Sequence, residues 1–277
     1  MITPLVTVGM PVFNGDFFFK RALISVINQN YKNIEIIISN NCSTDRTLEI
    51  IEFYAKKDSR IRYYNQTKKI PLVHNLKFVL DKSNSEYFMW AAADDLRSRD
   101  FIDKNIEFLK KNHDYVASTS PTRFFKSNFN SRKVGDFSIN ENNPSQRVSK
   151  LLSSWDANAR LWSLFRTKEL KKINFESIFL GVDLYYMIQM VLIGKFNRID
   201  NGLLRLGKFG QSHQKNIFEK YRNNKIEFVI PFFTLLSKSI TLTNIFKIKF
   251  IIIYKILKFN YVANLLRIKW LILKIIK

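Results

Sequence analysis

An α/β protein is what this sequence predicts: a mostly parallel central sheet with flanking helices, followed by a basic, amphipathic helical region at the carboxyl end. Three observations carry the prediction. Short β-rich runs alternate with segments of helical periodicity through the first half of the chain. The run "IEIIIS" (Ile34 to Ser39) is short and apolar, as expected of a strand covered on both faces. Beyond Glu227 there is no acidic residue, and lysines there interleave with Ile, Leu, Phe, Tyr and Trp.

The elements follow in order. "LVTVGMPV" is a β-rich run ending in turn chemistry at Asn14-Gly15-Asp16, after which Phe19, Leu23, Val26 and Ile27 fall on one helical face. The second strand, Ile34 to Ser39, turns through "NNCSTDRT" into a helix carrying Leu48, Ile51 and Ala55. There Ser43 suits the N-cap and Asp45 the first turn, where the helix dipole favours negative charge. "IRYYN" reads as a third strand, "LVHNLKFVLDK" as a helix and "EYFMWAAA" as a fourth strand. After Asp100, Ile102, Ile106 and Leu109 mark another helix, and "YVAST" another strand. Repeated β-α units imply parallel pairing, and ligands of such sheets sit at the carboxyl ends of the strands. The loops of interest therefore begin at Pro11, Asn40 and Asp94. From about Asn128 to Ser154 the chain is Asn/Ser-rich and reads as a loop excursion. Order returns with "RLWSLFRTKEL". Leu184, Ile188, Val191 and Leu192 then mark a helix closing at Gly194, a suitable C-cap. No GxGxxG, P-loop or zinc-ligand spacing is present.

The totals set bounds. The chain has 277 residues, 46% of them hydrophobic, with eight Gly and six Pro, enough for a sizeable core in one domain, or one domain with an appendage. The single cysteine, Cys42, excludes an internal disulfide framework and fits a reducing compartment. The start "MITPLVTVGMPVFNG" lacks a basic n-region, so no signal peptide is expected, and no apolar run is long enough for an ordinary membrane-spanning helix. Lys and Arg number 45 against 23 acids, a formal net charge of +22, which favours a polyanionic partner. Basic residues mixed with aromatic and aliphatic bulk point to an anionic membrane surface rather than nucleic acid. The bland alternative is an A/T-rich genome that raises Lys, Asn and Ile everywhere.

Within so basic a chain, "EYFMWAAADD" ends a strand-like stretch in two adjacent aspartates, Asp94 and Asp95. Neighbouring carboxylates repel unless something positive joins them. A divalent cation held by hard oxygen ligands and completed by phosphate oxygens would do so. So would Arg97 and Arg99 alone, and Asp94 would equally cap the following turn.

The loops extend this reading. "VTVGMPVFNGDFFFKRALISVINQNYKNIEIIISNNCSTDRTLEII" closely resembles the amino-terminal signature of the family 2 glycosyltransferases, which have the GT-A fold. "AAADD" falls where that family places its Asp-X-Asp metal motif. "LWSLFRTKEL", "GVDLYYMIQMVLIGKF" and "LLRLGKFGQSH" follow the order of its acceptor-side half, so the likeness covers about residues 4 to 214. The resemblance implies a GT-A domain over 1–220, with a nucleotide-binding half over about 1–120, an acceptor half over about 121–220, and a basic tail over 221–277.

It also implies roles. Phe13 stands where an aromatic stacks on the nucleotide base, Pro11 shapes that loop, and Asn14 lies in it. Asn40 and Asn41 occupy base-contacting positions where relatives often carry aspartate, and an amide oxygen can still accept from a pyrimidine N3–H. Asn75 matches an Asn beside the nucleotide, or is a polar residue on a helix face. Asp94 would lie near the ribose and Asp95 would ligate Mg2+ or Mn2+, while Ala92 stands where the family has a further Asp. Asp183 matches the general base of inverting transfer, or else caps its helix. Arg205 and His213 would approach the diphosphate, unless they are an exposed loop pair. Trp155 would stack on an acceptor sugar, whereas Trp162 lies in an apolar run and reads as core. His74 and His113 have no partner spacing and read as structural.

The activity so implied is sugar transfer, with inversion, from a nucleotide-diphospho-sugar of UDP or dTDP type to a hydroxyl of a saccharide or lipid-linked saccharide. It would serve surface polysaccharide synthesis at the cytoplasmic face of a bacterial inner membrane. The competing readings are a catalytically silent membrane adaptor on the same scaffold, or another nucleotide-binding α/β protein. The latter should carry a Gly-rich basic phosphate loop where this chain has "MPVFNGD".

Overall fold

A computed structural model describes residues 5–124, 135–153, 159–175, 178–207 and 225–275, with side chains described as far as Leu265 except that of Phe228. Alternation begins with β1 (Val6–Val12), α1 (Phe19–Ile27), β2 (Ile34–Asn40), α2 (Thr47–Ala55), β3 (Ile61–Asn65), α3 (Leu72–Asp81) and β4 (Tyr87–Trp90). It continues through β5 (Leu96–Arg97), α4 (Phe101–Lys111), β6 (Tyr115–Thr119) and β7 (Thr122–Phe124). The second half adds α5 (Pro144–Leu151), β8 (Leu164–Arg166), α6 (Thr167–Leu170), α7 (Val182–Ile193), β9 (Lys195–Arg198) and β10 (Leu204–Leu206). Two helices, α8 (Phe233–Ile240) and α9 (Phe246–Ile275), end the described chain.

A seven-stranded sheet runs in the order β3-β2-β1-β4-β8-β6-β9. Only β8 runs against its neighbours, β4 and β6; the other described strands of this sheet run parallel, as the β-α alternation predicts. Strand residues alternate between its two faces. Tyr87, Met89 and Ala91 join one apolar layer with α1, α2 and α4, while Phe88 and Trp90 join the other with α3, α5 and α7. A three-stranded sheet, β5-β10-β7, sits beside the carboxyl end of β4 and sends Leu204 and Leu206 into the first layer.

Several expectations are corrected. The fourth strand stops at Trp90, because Ala91 to Asp95 turn away to start the small sheet. The polar stretch 128–154 contains a helix, α5, started by Pro144 at its first position and by the Asn143 side chain, which accepts from Ser145 N at 2.8 Å. Residues 128–134 and 154 of that stretch lie outside the described residues. Gly194 does end α7, but in extended rather than left-handed backbone; a Cβ there would overlap the Val116 side chain and lie 3.2 Å from the Asp114 carbonyl oxygen.

The tail is helical, yet not amphipathic in the simple sense. Ile248, Ile252, Ile256 and Ala263 of α9 are buried in the layer that holds α7, while large apolar residues also occupy its outer face. Among the described residues no helix is long and apolar enough to cross a membrane.

Candidate active site

The carboxyl ends of β1, β2, β3 and β4 line up, and the loops leaving them are tied together by their own polar groups. Asn41 N donates to Val12 O at 2.8 Å, continuing the β1–β2 ladder past the strand end. Asn14 adopts a left-handed φ of 49°, and this turn points its N–H at Ser43 Oγ, 2.9 Å away. Its Oδ1 accepts from Thr44 N at 2.9 Å. Gly15 N donates to Thr47 Oγ1 at 2.7 Å, and Asp16 N to Asp45 Oδ2 at 3.0 Å.

Ser43 is therefore not the N-cap of α2 as expected. The helix starts after Arg46, and Ser43 and Asp45 bind the N–H groups of the neighbouring loop. Burial pushes the Asp45 carboxyl up, but hydrogen bonds from Thr47 and Asp16 outweigh it and hold it below the usual carboxylate range.

Pro11 lies buried within β1, whereas Phe13 is 41% exposed. Lys69 Nζ stands 3.6 Å from the Phe13 ring centroid, a cation–π contact on one face of the ring. The loop bearing Lys69 is held by Asn41. Asn41 Nδ2 donates to Ile70 O at 2.8 Å and its Oδ1 accepts from Ile70 N at 2.9 Å, so one amide satisfies both backbone groups of a single residue.

Asn40 is likewise engaged, donating to Asn65 Oδ1 at 3.2 Å and accepting from Ser43 N at 3.2 Å. Asn75 is buried on α3, accepts from Ser39 Oγ and donates to Ser39 O at 3.3 Å. The two amides assigned to the base thus brace the loops that frame Phe13, and Asn75, assigned a place beside the nucleotide, ties α3 to the end of β2; each uses one donor and one acceptor group.

The aspartate pair is split by its surroundings. Asp95 is buried; its Oδ1 accepts from Gly207 N at 2.9 Å, and its Oδ2 has no hydrogen-bond partner among the described residues. Burial pushes its carboxyl up to about 7, against the pull of Arg97 and of the Gly207 N–H, with Asp94 adding to the rise. Arg97 is buried beside it and donates from Nη2 to Trp90 O at 2.7 Å, while its Nε and Nη1 have no partner among the described residues. Burial pulls that guanidinium down to about 10, with Asp95 opposing.

Asp94 is half-buried, and its side chain lies against Gly207: a Cβ on that glycine would sit 2.8 Å from Asp94 Cβ and closer still to the carboxylate. Of the two arginines offered as partners of the pair, Arg97 lies beside Asp95, while Arg99 is exposed.

Asp183 is half-buried in the first turn of α7. The N-cap position belongs to Gly181, left-handed at φ 82°, so the capping alternative for Asp183 does not hold. Arg205 is half-exposed on β10, two residues before Gly207, and in register with Arg123 of β7. His213 and Trp155 lie outside the described residues. Trp162 packs against both apolar layers, in keeping with a core role, and His74 and His113 are exposed. Among the described residues no three His, Cys, Asp or Glu side chains gather as a metal cluster.

Sequence reading passed over Lys69 and Gly207. The only signal for Gly207 is a glycine directly after the "LLRL" strand; for Lys69 there is none beyond its place after the third strand.

The chain can now be set beside known proteins. The profile described as glycosyl transferase family 2 matches residues 7–179. A Campylobacter jejuni protein named GalNAc(5)-diNAcBac-PP-undecaprenol beta-1,3-glucosyltransferase is 33% identical over 93 residues, 33% of this chain and 30% of that protein. The structure of Staphylococcus aureus TarS 1-349 in complex with UDP-GlcNAc superposes with a TM-score of 0.68 at 16% identity, covering 87% of this chain and 68% of that one. The mannosyltransferase PcManGT from Pyrobaculum calidifontis, in complex with GDP-Man and Mn2+, gives a TM-score of 0.61 at 16% identity, covering 91% of this chain and 68% of that one. The matches span less than half the length of the curated relatives. The solved structures share the α/β architecture with its mostly parallel sheet, which is the GT-A fold.

Proposed function

The chain belongs to glycosyltransferase family 2 and is a glycosyltransferase, and from that premise we propose the reaction it performs. It moves a sugar, with inversion, from a nucleotide-diphospho-sugar to a hydroxyl of a saccharide acceptor in bacterial surface polysaccharide synthesis. One observation carries this reading. An exposed aromatic, Phe13, and the Asp94–Asp95 pair stand at the carboxyl ends of adjacent parallel strands, β1 and β4, where open α/β sheets bind ligands.

Phe13 stacks on the base, a contact worth about 1–3 kcal/mol in comparable sites. The residues suit a hard divalent ion, Mg2+ or Mn2+, in that they offer carboxylate oxygens and leave further ligand positions to the donor diphosphate and water. When bound, the ion offsets the negative charge that develops on the departing nucleoside diphosphate. The half-buried Asp94 is the better ligand of the pair. Asp95 is closed in beside Arg97 and bonded to the Gly207 N–H, so its oxygens are the less accessible. Arg205 adds positive charge toward the diphosphate. Asp183 takes the proton of the acceptor hydroxyl as that oxygen bonds to the anomeric carbon and the carbon–phosphate oxygen bond breaks. The UDP carried by TarS supports a uridine-type donor, with GDP in PcManGT as the competing chemistry. The undecaprenol named for the Campylobacter relative supports a lipid-linked acceptor, and with it a place on the cytoplasmic face of the membrane.

Donor consumption and transfer, followed over a panel of nucleotide-sugars, test the reading. EDTA and Asp94→Asn should abolish transfer, and Asp183→Asn should lower kcat by about 10²–10⁴-fold with little change in donor KM. Full transfer by both variants would sink the assignment. Loss in Asp95→Asn with Asp94→Asn active would return the metal to Asp95.

A further inference from the structure

Helix α9 is apolar on two opposite sides. Its inner stripe, Ile248, Ile252, Ile256 and Ala263, packs on α5 and α8. An outer stripe, Phe246, Phe250, Tyr254, Leu257 and Tyr261, advances by four, four, three and four residues, which keeps it on one helical face. These five side chains are 48 to 82% exposed. Lys247 and Lys258 flank them and are exposed too. A helix with two apolar stripes needs an apolar partner for each, and here the inner stripe already has its core.

We propose that the outer stripe of α9 is the face on which the protein docks to an anionic lipid surface. Charge selects the occupant. Between Phe228 and Lys277 the chain carries nine Lys or Arg and no acid, so two copies meeting through α9 would set like charges together. A nucleic acid would match the charge but leave Phe246, Phe250 and Leu257 in water. An interface of anionic headgroups over acyl chains satisfies both, with aromatic rings at the boundary and lysines reaching the headgroups.

Docking by this face also orients the site. α9 packs on α5, α5 packs on α7, and α8 touches both α9 and α7. The helix whose first turn holds Asp183 is therefore joined through packed helices to the one that meets lipid. This second step rests on the acceptor reading above; the docking itself does not.

The test uses the full chain and vesicles of phosphatidylglycerol with phosphatidylethanolamine, against vesicles of phosphatidylcholine alone. Co-sedimentation should favour the anionic vesicles by about tenfold or more and weaken with added salt. Phe250→Glu/Tyr254→Glu and Lys247→Glu/Lys258→Glu should each reduce binding by about tenfold. Both variants should keep the native circular dichroism melt and turn over a water-soluble acceptor. Equal binding of native protein to both vesicle types, or unreduced binding by the Phe250/Tyr254 variant, would overturn the proposal. So would a dimer in analytical ultracentrifugation that this variant dissolves, since the face would then meet a second copy. Vesicle binding needs no sugar donor, so its failure leaves the transfer reading standing, and loss of transfer leaves docking standing.

Discussion

Gly207 shows how little room the site leaves. Its N–H serves Asp95 and its bare α-carbon lets the Asp94 side chain lie flat against the backbone. The two adjacent carboxylates sit in the turn that follows β4, and they end in different surroundings, one closed in beside Arg97 and one half-open against Gly207. A methyl at 207 would push Asp94 off its seat. Gly207→Ala should therefore lower kcat by about 10²-fold, as expected for misplacing a reacting group by an ångström or so. The thermal melt should stay near native, since the glycine is only half-buried. A variant with native turnover would show that the Asp94 position is not needed.

The loops act as one element. Backbone N–H groups of the first are accepted by side chains of the second, and the loop after β3 hangs on Asn41. An amide is required there: its N–H group donates to the Ile70 carbonyl while its oxygen accepts from the Ile70 N–H. A carboxylate keeps the second bond but sets two oxygens against each other in place of the first. This accounts for the asparagine at position 41. Asn41→Asp should cost about 1–3 kcal/mol in denaturant unfolding. It should also raise donor KM, because Lys69 and the frame around Phe13 move with Ile70. Unchanged stability and KM would show that the clamp is dispensable.

At the scale of the molecule, α9 is part of the body. Its inner residues belong to the same apolar layer as Trp90 of β4 and Leu184 of α7, so cutting the chain near Phe228 would open the core as well as remove charge. Ile252, fully buried, measures this: Ile252→Ala should cost about 2–5 kcal/mol of global stability and lower the denaturation midpoint in a single transition. An early separate transition, with the remainder unaffected, would mean that α9 unfolds as an independent unit. The net charge of +22 is tolerated because much of it rides on exposed faces, including that of α9, where a polyanion can answer it.

The strands and helices of the first half could be read from the chain because periodicity is local: a helix face or a buried strand declares itself within a dozen residues. Helix α5 escaped notice because Val148 and Leu151 are its only buried aliphatic residues among polar ones. Strands β5, β7, β8 and β10 are two or three residues long, too short for any period to show. The motifs likewise brought Phe13, Asn40, Asn41, Asp94 and Asp95 into view by type and order. Their division of work was not written there. Whether an amide faces a ligand or a loop depends on Ile70 or Ser39. Whether a carboxylate stays charged at neutral pH depends on Arg97 and on Gly207, far along the chain. The sequence by itself determined the alternation, the family and the chemistry on offer, since those reside in residue identity and spacing. Only the tertiary structure decided which groups stay wet and which are closed in, because burial is set by whatever packs on a side chain, and those partners come from elsewhere in the fold.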